Sequence, residues 1–225
     1  MNNKWLGRLP ALSGALFAVF ALARGGGSDS APTYASTGEQ VAAYAYHHQI
    51  SVPMYHLELW AFLSLMVFSI VLYSRLRGAE PAAAVAAKVV VAACVVSVAI
   101  KLGSFPATYA LYSSSSQLSP DVARALQTIG DFAFDVSIMV QALSLGAVAA
   151  SGLLFGGIPR WLAGTAGVIA VALVVGFIIG GGARVAPTLA WFVWVLAASV
   201  ALFVRGPRAV TEGRQMHTAL SPGAV

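Results

Sequence analysis

Residues 136–155 form a stretch without a single charged side chain. An α-helix needs about 20 mostly apolar residues to cross the hydrocarbon core of a bilayer. Backbone amides in lipid must be hydrogen-bonded internally, so such a segment folds as a helix. The stretch extends back to Asp131, and further apolar segments occupy 9–23, 57–74, 82–103, 161–180 and 185–204. The sequence therefore predicts an all-α integral membrane bundle of six transmembrane helices.

The overall composition agrees with a lipid environment. Hydrophobic residues make up 59% of the 225 residues and charged residues only 9%, whereas soluble domains carry about 25% charge. The net charge of +5 does not indicate nucleic-acid binding, because the Lys and Arg residues are not clustered with aromatic residues as such an interface requires. We expect the lipid bilayer to be the main partner and expect no nucleic-acid partner.

The basic residues between the apolar segments predict an orientation. Cytoplasmic loops of membrane proteins carry an excess of Lys and Arg. With the N-terminus in the cytoplasm, nine of the thirteen basic residues lie on the inner side, and the outer side holds only Arg24, Lys101, Arg124 and Arg184. We therefore predict cytoplasmic N- and C-termini and a multi-pass protein of a bacterial cytoplasmic (plasma) membrane.

Residues 1–208 are predicted to form one transmembrane helical domain, followed by a flexible cytoplasmic tail at 209–225. The two long connections, 24–56 and 104–130, are predicted to be outer loops, with a helix start at Ser119-Pro120-Asp121. The first segment has a second interpretation. Its basic start, apolar middle and small residues Ala21 and Ala23 also fit a cleaved signal peptide.

Ionisable side chains gather at the predicted outer surface. Asp131 and Asp135 are four residues apart and share one helix face, and Lys101 could pair with either of them. One interpretation is a ring of interfacial charges that reach water. The other is an outer vestibule that binds a ligand or a proton, because ionisable groups within the hydrocarbon are commonly functional. Its predicted residues are Glu58, Lys101, Asp131, Asp135 and Gln141.

Three of the four histidines precede or begin the second apolar segment: His47, His48 and His56. Histidine is a common metal ligand, but a zinc site needs three or four converging ligands. His47 and His48 are adjacent, and adjacent residues on a helix point in different directions. The surrounding Tyr44, Tyr46 and Trp60 fit an aromatic belt at the membrane surface. A metal site at these histidines remains a hypothesis, and no cofactor is implied by the sequence.

The segments "GDFAFDVSIMVQALSLGAVAASGLLF" and "IPRWL", together with six apolar segments and a long first outer loop, resemble a family of bacterial membrane proteins. It is the domain of unknown function forty-three eighty-six. The resemblance implies the same six-helix fold but carries over no site residues, because the family's function is itself unknown. The early "LSGALFAVFALA" also looks like the first helix of that family.

No serine lies in a G-x-S-x-G context and no H-E-x-x-H occurs. The sequence therefore favours a protein without catalytic activity, an accessory or scaffold subunit of a larger membrane protein complex. The alternative is a small-solute or proton transporter or sensor that uses the outer vestibule. An intramembrane enzyme or metalloprotein built on His56 is the third hypothesis.

Overall fold

The computed structural model of the chain describes residues 3–24, 31–48, 52–78 and 80–205. The predicted tail at 209–225 lies outside these residues. All regular secondary structure in the described part is helical, with turns and short coil segments between the helices. Five helices of this part are long and apolar enough to cross a membrane. The α-helices are α1 (Ser13–Arg24), α2 (Gly38–His47), α3 (Val52–Leu76), α4 (Pro81–Gly103), α5 (Phe105–Ser113), α6 (Pro120–Leu154), α7 (Arg160–Ile179) and α8 (Val185–Arg205).

The six helices expected from the sequence close into a ring. α1 packs between α3 and α8, α4 joins α3 to α6, and α7 joins α6 to α8. The core is built largely from small and branched side chains, among them Ala87, Val90, Ala163 and Ala166. Because lipid tails are as apolar as these side chains, close backbone approach and interhelical hydrogen bonds hold such a bundle together.

The first segment differs from the other five. A 3₁₀-helix spans Asn3–Leu12 and continues into α1, and the apolar part of this segment, Leu6–Leu22, is shorter than a usual span. The Ser199 hydroxyl of α8 stabilises the junction: it accepts a hydrogen bond of 2.9 Å from the Ala15 amide and donates to the Ala11 carbonyl. A carbonyl and an amide at the change of helix type are thereby satisfied inside the bundle.

Both connections predicted to be loops contain helices, so the prediction that they are loops was wrong, apart from the helix start expected at Ser119. In the first, Thr37 caps α2 in a capping box with Gln40, and α2 packs on α6. Short helices of this kind are stabilised by packing more than by propensity. Here Val41 and Ala45 are buried against Leu111 and Ala123 in a second, small core.

The second connection holds α5 and the first turns of α6. The helix start predicted at Ser119 is confirmed, since its hydroxyl accepts a hydrogen bond from the Val122 amide. The helix then continues without a break to Leu154, so the boundary predicted at Asp131 was wrong. Its 35 residues span about 52 Å, well beyond the roughly 30 Å hydrocarbon core. α6 therefore belongs to the ring and also packs against α2 and α5, which form a second layer at one end of the bundle.

The opposite end of the bundle has only short connections. The hairpin between α6 and α7 turns at Gly156 and Gly157, whose φ angles are 78° and 103°. A Cβ at Gly157 would collide with the Arg75 carbonyl oxygen at the end of α3. Gly152, one turn before the end of α6, has Ala163 of α7 packed against it. The absence of a side chain at Gly152 therefore lets α6 and α7 pack closely.

Two substitutions in this hairpin separate strain from steric conflict. Gly156→Ala should lower the free energy of unfolding by about 1–2 kcal/mol, because an alanine at positive φ is strained while its Cβ meets open space. Gly157→Ala should lower the free energy of unfolding clearly more, because the backbone is again strained and the new Cβ also clashes with the Arg75 carbonyl oxygen. Reversible unfolding in mixed micelles would measure both values. Equal losses would show that the hairpin does not pack on α3 as described.

Candidate functional site

A cavity of about 230 Å³ lies inside the ring, in the half that faces α2 and α5. Its walls come from α1, α3, α4, α6 and α8. Six aromatic side chains dominate the lining, and we call this cavity the aromatic chamber: Phe17, Phe20, Phe62, Phe134, Trp191 and Phe192. The chamber is thus a mainly apolar space between the ring helices, and it is partly open to the exterior.

Phe17 organises one side of the chamber. It is almost fully buried, and its ring centroid lies 6.0 Å from that of Phe62, 5.4 Å from that of Trp191 and 5.7 Å from that of Phe192. Aromatic pairs at these distances are attractive in tilted geometries. The sequence analysis identified none of the phenylalanines as site residues. In a chain this apolar, a phenylalanine that lines a chamber has no sequence signal that separates it from one that faces lipid.

An ion pair borders the chamber. Lys101 Nζ of α4 lies 3.8 Å from Glu58 Oε1 of α3, and both side chains line the cavity. Lys101 Nζ also lies 5.4 Å from the centroid of the Phe134 ring, within cation–π range. The sequence analysis paired Lys101 with Asp131 or Asp135, and the pairing with Glu58 corrects this. The two residues are 43 positions apart, so only the packing of α3 on α4 brings them together.

Asp135 belongs to a different cluster. Its Oδ2 accepts a hydrogen bond of 2.7 Å from the Tyr34 hydroxyl and another from Arg184 Nη1. The Arg184 guanidinium also lies 5.3 Å from the centroid of the Tyr34 ring. Arg184 ends a 3₁₀ turn, Gly181–Arg184, in the connection from α7 to α8. This cluster ties the segment before α2 and the α7–α8 connection to α6.

The sequence analysis missed both partners of Asp135. Arg184 was counted only as an outer basic residue, and Tyr34 lay in a predicted loop. One signal was available for Arg184: it is the basic residue that follows the glycines at 180–182, which permit a tight turn at the end of α7. No comparable signal marked Tyr34.

Asp131 shares a helix with Asp135, as predicted, but lines another space. Gln127 Nε2 donates a hydrogen bond of 2.9 Å to its Oδ1. Asp131 faces a second cavity, of about 160 Å³, between α6 and the α4–α5 segment. We call it the polar cavity, and Lys101 and Phe134 line it as well as the chamber. The predicted vestibule is therefore two compartments that share a wall.

Gln141 lies apart from both compartments. It is six residues after Asp135, about 9 Å further along the helix, and only 3% exposed. It lines a space of about 20 Å³ with Ser69, Cys94 and Ser144. The Ser144 hydroxyl donates to the Val90 carbonyl oxygen at 3.3 Å, which fits interhelical hydrogen bonding. The structure does not place Gln141 in the outer vestibule.

The three histidines of the metal hypothesis lie at the protein surface. His47 and His48 end α2 and are exposed, as is His56 in α3. His48 stacks on Tyr44 with ring centroids 3.9 Å apart, and His47 meets Tyr46 edge-on. Throughout the described ranges, no group of three or more His, Cys, Asp or Glu side chains is arranged to hold a metal ion. The metal hypothesis for His47, His48 and His56 thus gains no support.

Comparison of the chain with protein-family models, with curated proteins and with solved structures returned no match. The resemblance to the domain of unknown function forty-three eighty-six therefore stays a prediction. Conclusions about function rest on the geometry of the site alone.

The hydrogen bond from Tyr34 to Asp135 predicts a pH dependence. Burial, and then the hydrogen bond to the Asp135 carboxylate, raise the pKa of Tyr34 from 10.0 to about 12. The neutral phenol is thus favoured in the folded protein. The hydrogen bond of the neutral phenol contributes fully to the free energy of unfolding below pH 10, and this contribution is lost as the pH rises through about 12. Tyr34→Phe should lower the free energy of unfolding by about 1 kcal/mol at neutral pH, since the ring is only partly covered.

Chemical unfolding of both proteins between neutral pH and pH 12 would measure this. The difference between wild type and Tyr34→Phe should shrink above pH 10. Tyr46→Phe, which removes the hydroxyl of an exposed tyrosine, is the matched control and should behave like wild type. A loss for Tyr34→Phe that does not depend on pH would contradict the assignment.

Proposed function

We propose that the protein binds a small, mainly apolar ligand in the aromatic chamber and acts as a transporter or sensor for it. The single observation that carries this proposal is the partly open cavity between the helices, with six aromatic rings in its lining and a charged pair at its edge. An apolar cavity of about 150 Å³ suffices to hold benzene, so the chamber has room for a larger molecule. Ligand sites typically combine apolar walls with a few placed polar groups.

The Glu58–Lys101 pair gives the ligand a polar contact. Its separation of 3.8 Å is longer than the roughly 2.7–2.9 Å of a direct charge-assisted hydrogen bond. A polar group on the ligand can therefore contact either charge at the edge of the chamber. Ser97 and Ser137 line the same cavity, and their oxygens are further acceptors. These groups favour a ligand with one polar end over a pure hydrocarbon.

The accessory or scaffold function is our second proposal, and a different surface supports it. Val122, Ile129 and Phe132 are exposed along the outer third of α6, and their spacing places them on one side of the helix. If this part of α6 lies beyond the hydrocarbon, the strip is available to a larger membrane protein. Co-purification with one protein in fixed ratio, lost on Ile129→Ser with Phe132→Ser, would support it.

We also propose that the first segment is a sixth membrane span and that both termini are cytoplasmic, in a bacterial cytoplasmic membrane. The 3₁₀-helix rises about 2.0 Å per residue and α1 about 1.5 Å. Together their 22 residues are roughly 38 Å long, enough for the roughly 30 Å core. The end with short connections also carries Arg75, Arg77 and Arg160, as the inner side should.

Reporter fusions test this topology. Green fluorescent protein fused after residue 225 should fluoresce, and alkaline phosphatase at the same position should be inactive. Alkaline phosphatase inserted between Gln117 and Leu118 should be active, because that turn belongs to the outer layer. Active phosphatase at the C-terminus would contradict the proposed orientation.

Filling the chamber should abolish ligand binding. Ala61 of α3 is buried and lines the chamber, so Ala61→Phe should occupy much of its volume. The experiment uses a reference protein in which Trp5, Trp60 and Trp161 are replaced by Phe. The buried Trp191 and Trp194 are then its only tryptophan fluorophores. Bromobenzene, a heavy-atom quencher, should quench their emission in a saturable way.

Ala61→Phe should remove the saturable component and leave only linear, collisional quenching. Ala150→Phe, an exposed alanine of α6, adds the same ring outside the bundle and should leave saturable quenching unchanged. Purely linear quenching of the reference protein would refute a ligand-binding chamber. Saturable quenching that persists in Ala61→Phe would place the bound probe elsewhere.

A further inference from the structure

The polar cavity differs from the aromatic chamber in its lining. Of about 160 Å³, it is bounded by residues of α4, α5 and α6. Its polar groups include the Asp131 carboxylate, the Gln127 amide and Thr108. Tyr112 and Phe134 provide aromatic walls. A Cβ on Gly130 would lie 3.0 Å from Thr108 Oγ1, so α5 and α6 are in close contact at this cavity.

The charges around this cavity do not balance within the described part of the chain. Glu58 pairs with Lys101, and Asp135 pairs with Arg184. Asp131 is the remaining carboxylate at this cavity. The side chain that donates a hydrogen bond to it, Gln127, is neutral. Asp131 is also partly buried. A carboxylate in such a position is costly unless a positive charge accompanies it, so the cavity favours a cation.

The walls indicate which kind of cation fits. A bare metal ion needs several converging oxygen ligands at short distances, and the described residues contain no acidic or histidine cluster for one. The cavity is also far larger than one ion requires. A carboxylate beside aromatic rings is instead the environment that organic ammonium groups prefer, through charge attraction and cation–π contact. Leu111 and Leu126 add apolar wall for alkyl substituents.

We propose that the polar cavity is a binding site for an organic ammonium group, with Asp131 as its counter-ion and Tyr112 and Phe134 as its aromatic walls. This site is separate from the aromatic chamber and does not depend on a ligand there. The ammonium belongs either to a free solute or to a choline lipid headgroup, since both present the same chemistry. Lys101 also lines this cavity, and its ammonium lies 3.8 Å from the Glu58 carboxylate, so the positive charge of Lys101 is compensated by Glu58.

Equilibrium binding of radiolabelled tetramethylammonium tests the site. The protein is reconstituted in phosphatidylglycerol nanodiscs, which contain no ammonium headgroup. We expect saturable binding that tert-butanol, a neutral molecule of similar shape, does not displace. Asp131→Asn should weaken binding at least about tenfold. Asp121→Asn, an exposed aspartate in the first turn of the same helix, is the matched control and should bind like wild type.

Tyr112→Leu provides a second, uncharged test and should weaken binding severalfold by removing one aromatic wall. Equal affinities of wild type and Asp131→Asn would overturn the proposal, as would displacement by tert-butanol or the absence of saturable binding to the wild type. Competition by phosphatidylcholine nanodiscs would support the site and identify a lipid headgroup as the source. Unchanged binding in those nanodiscs would support it for a free solute.

Discussion

The carboxylate of Asp135 lies at the beginning of the uncharged part of α6 and is 9% exposed. A buried carboxylate without compensation would destabilise the bundle. Arg184 provides the opposite charge, and Tyr34 provides a further hydrogen bond. Because these partners lie in the α7–α8 connection and the segment before α2, compensation of one charge holds three separate parts of the chain together. The cluster thus links α6 to the connection between α7 and α8.

Along the rest of α6, small side chains and hydroxyl groups replace charge as the means of association. Gly152 admits Ala163 of α7, and the Ser151 hydroxyl donates to the Leu76 carbonyl oxygen at the end of α3. In lipid, burial of apolar surface gives little net attraction, so close packing and these hydrogen bonds stabilise the helix pairs. α6 therefore joins its neighbours by close contact in its C-terminal half and by charge near Asp135.

The half of the bundle that faces α2 and α5 contains both larger cavities. Lys101 and Phe134 form the wall between them. Glu58 holds Lys101 from the chamber side, and Asp131 lies on the other side. A molecule with an apolar body and a polar end would find suitable surroundings in either compartment. Three of the charged residues that were predicted to form one vestibule, Glu58, Lys101 and Asp131, thus lie at the edges of two cavities, where each could contact a bound molecule.

Much of the fold could be predicted from the sequence because the relevant signals are local. Hydropathy located the six helices of the ring, and Ser119 marked the start of α6. The spacing of Asp131 and Asp135 placed them on one helix face. α2 was missed although Thr37 and Gln40 form a capping box that is visible in the sequence. The burial of Val41 and Ala45, which stabilises so short a helix, depends on the tertiary structure. The first segment was predicted as one helix, but it changes from 3₁₀ to α at the contact with Ser199.

The site was less predictable. Acidic and basic residues near the outer surface were identified from the chain, since charges are rare in apolar segments and are easily recognised there. Their pairing was decided by the tertiary structure: Asp135 meets Arg184 across 49 positions and Tyr34 across 101. The chamber likewise exists only where aromatic residues of separate helices converge. The sequence by itself determined which segments are apolar enough to enter lipid, because hydropathy is a property of each segment. Only the folded ring decided which charges pair and where space remains, because both depend on how distant helices pack.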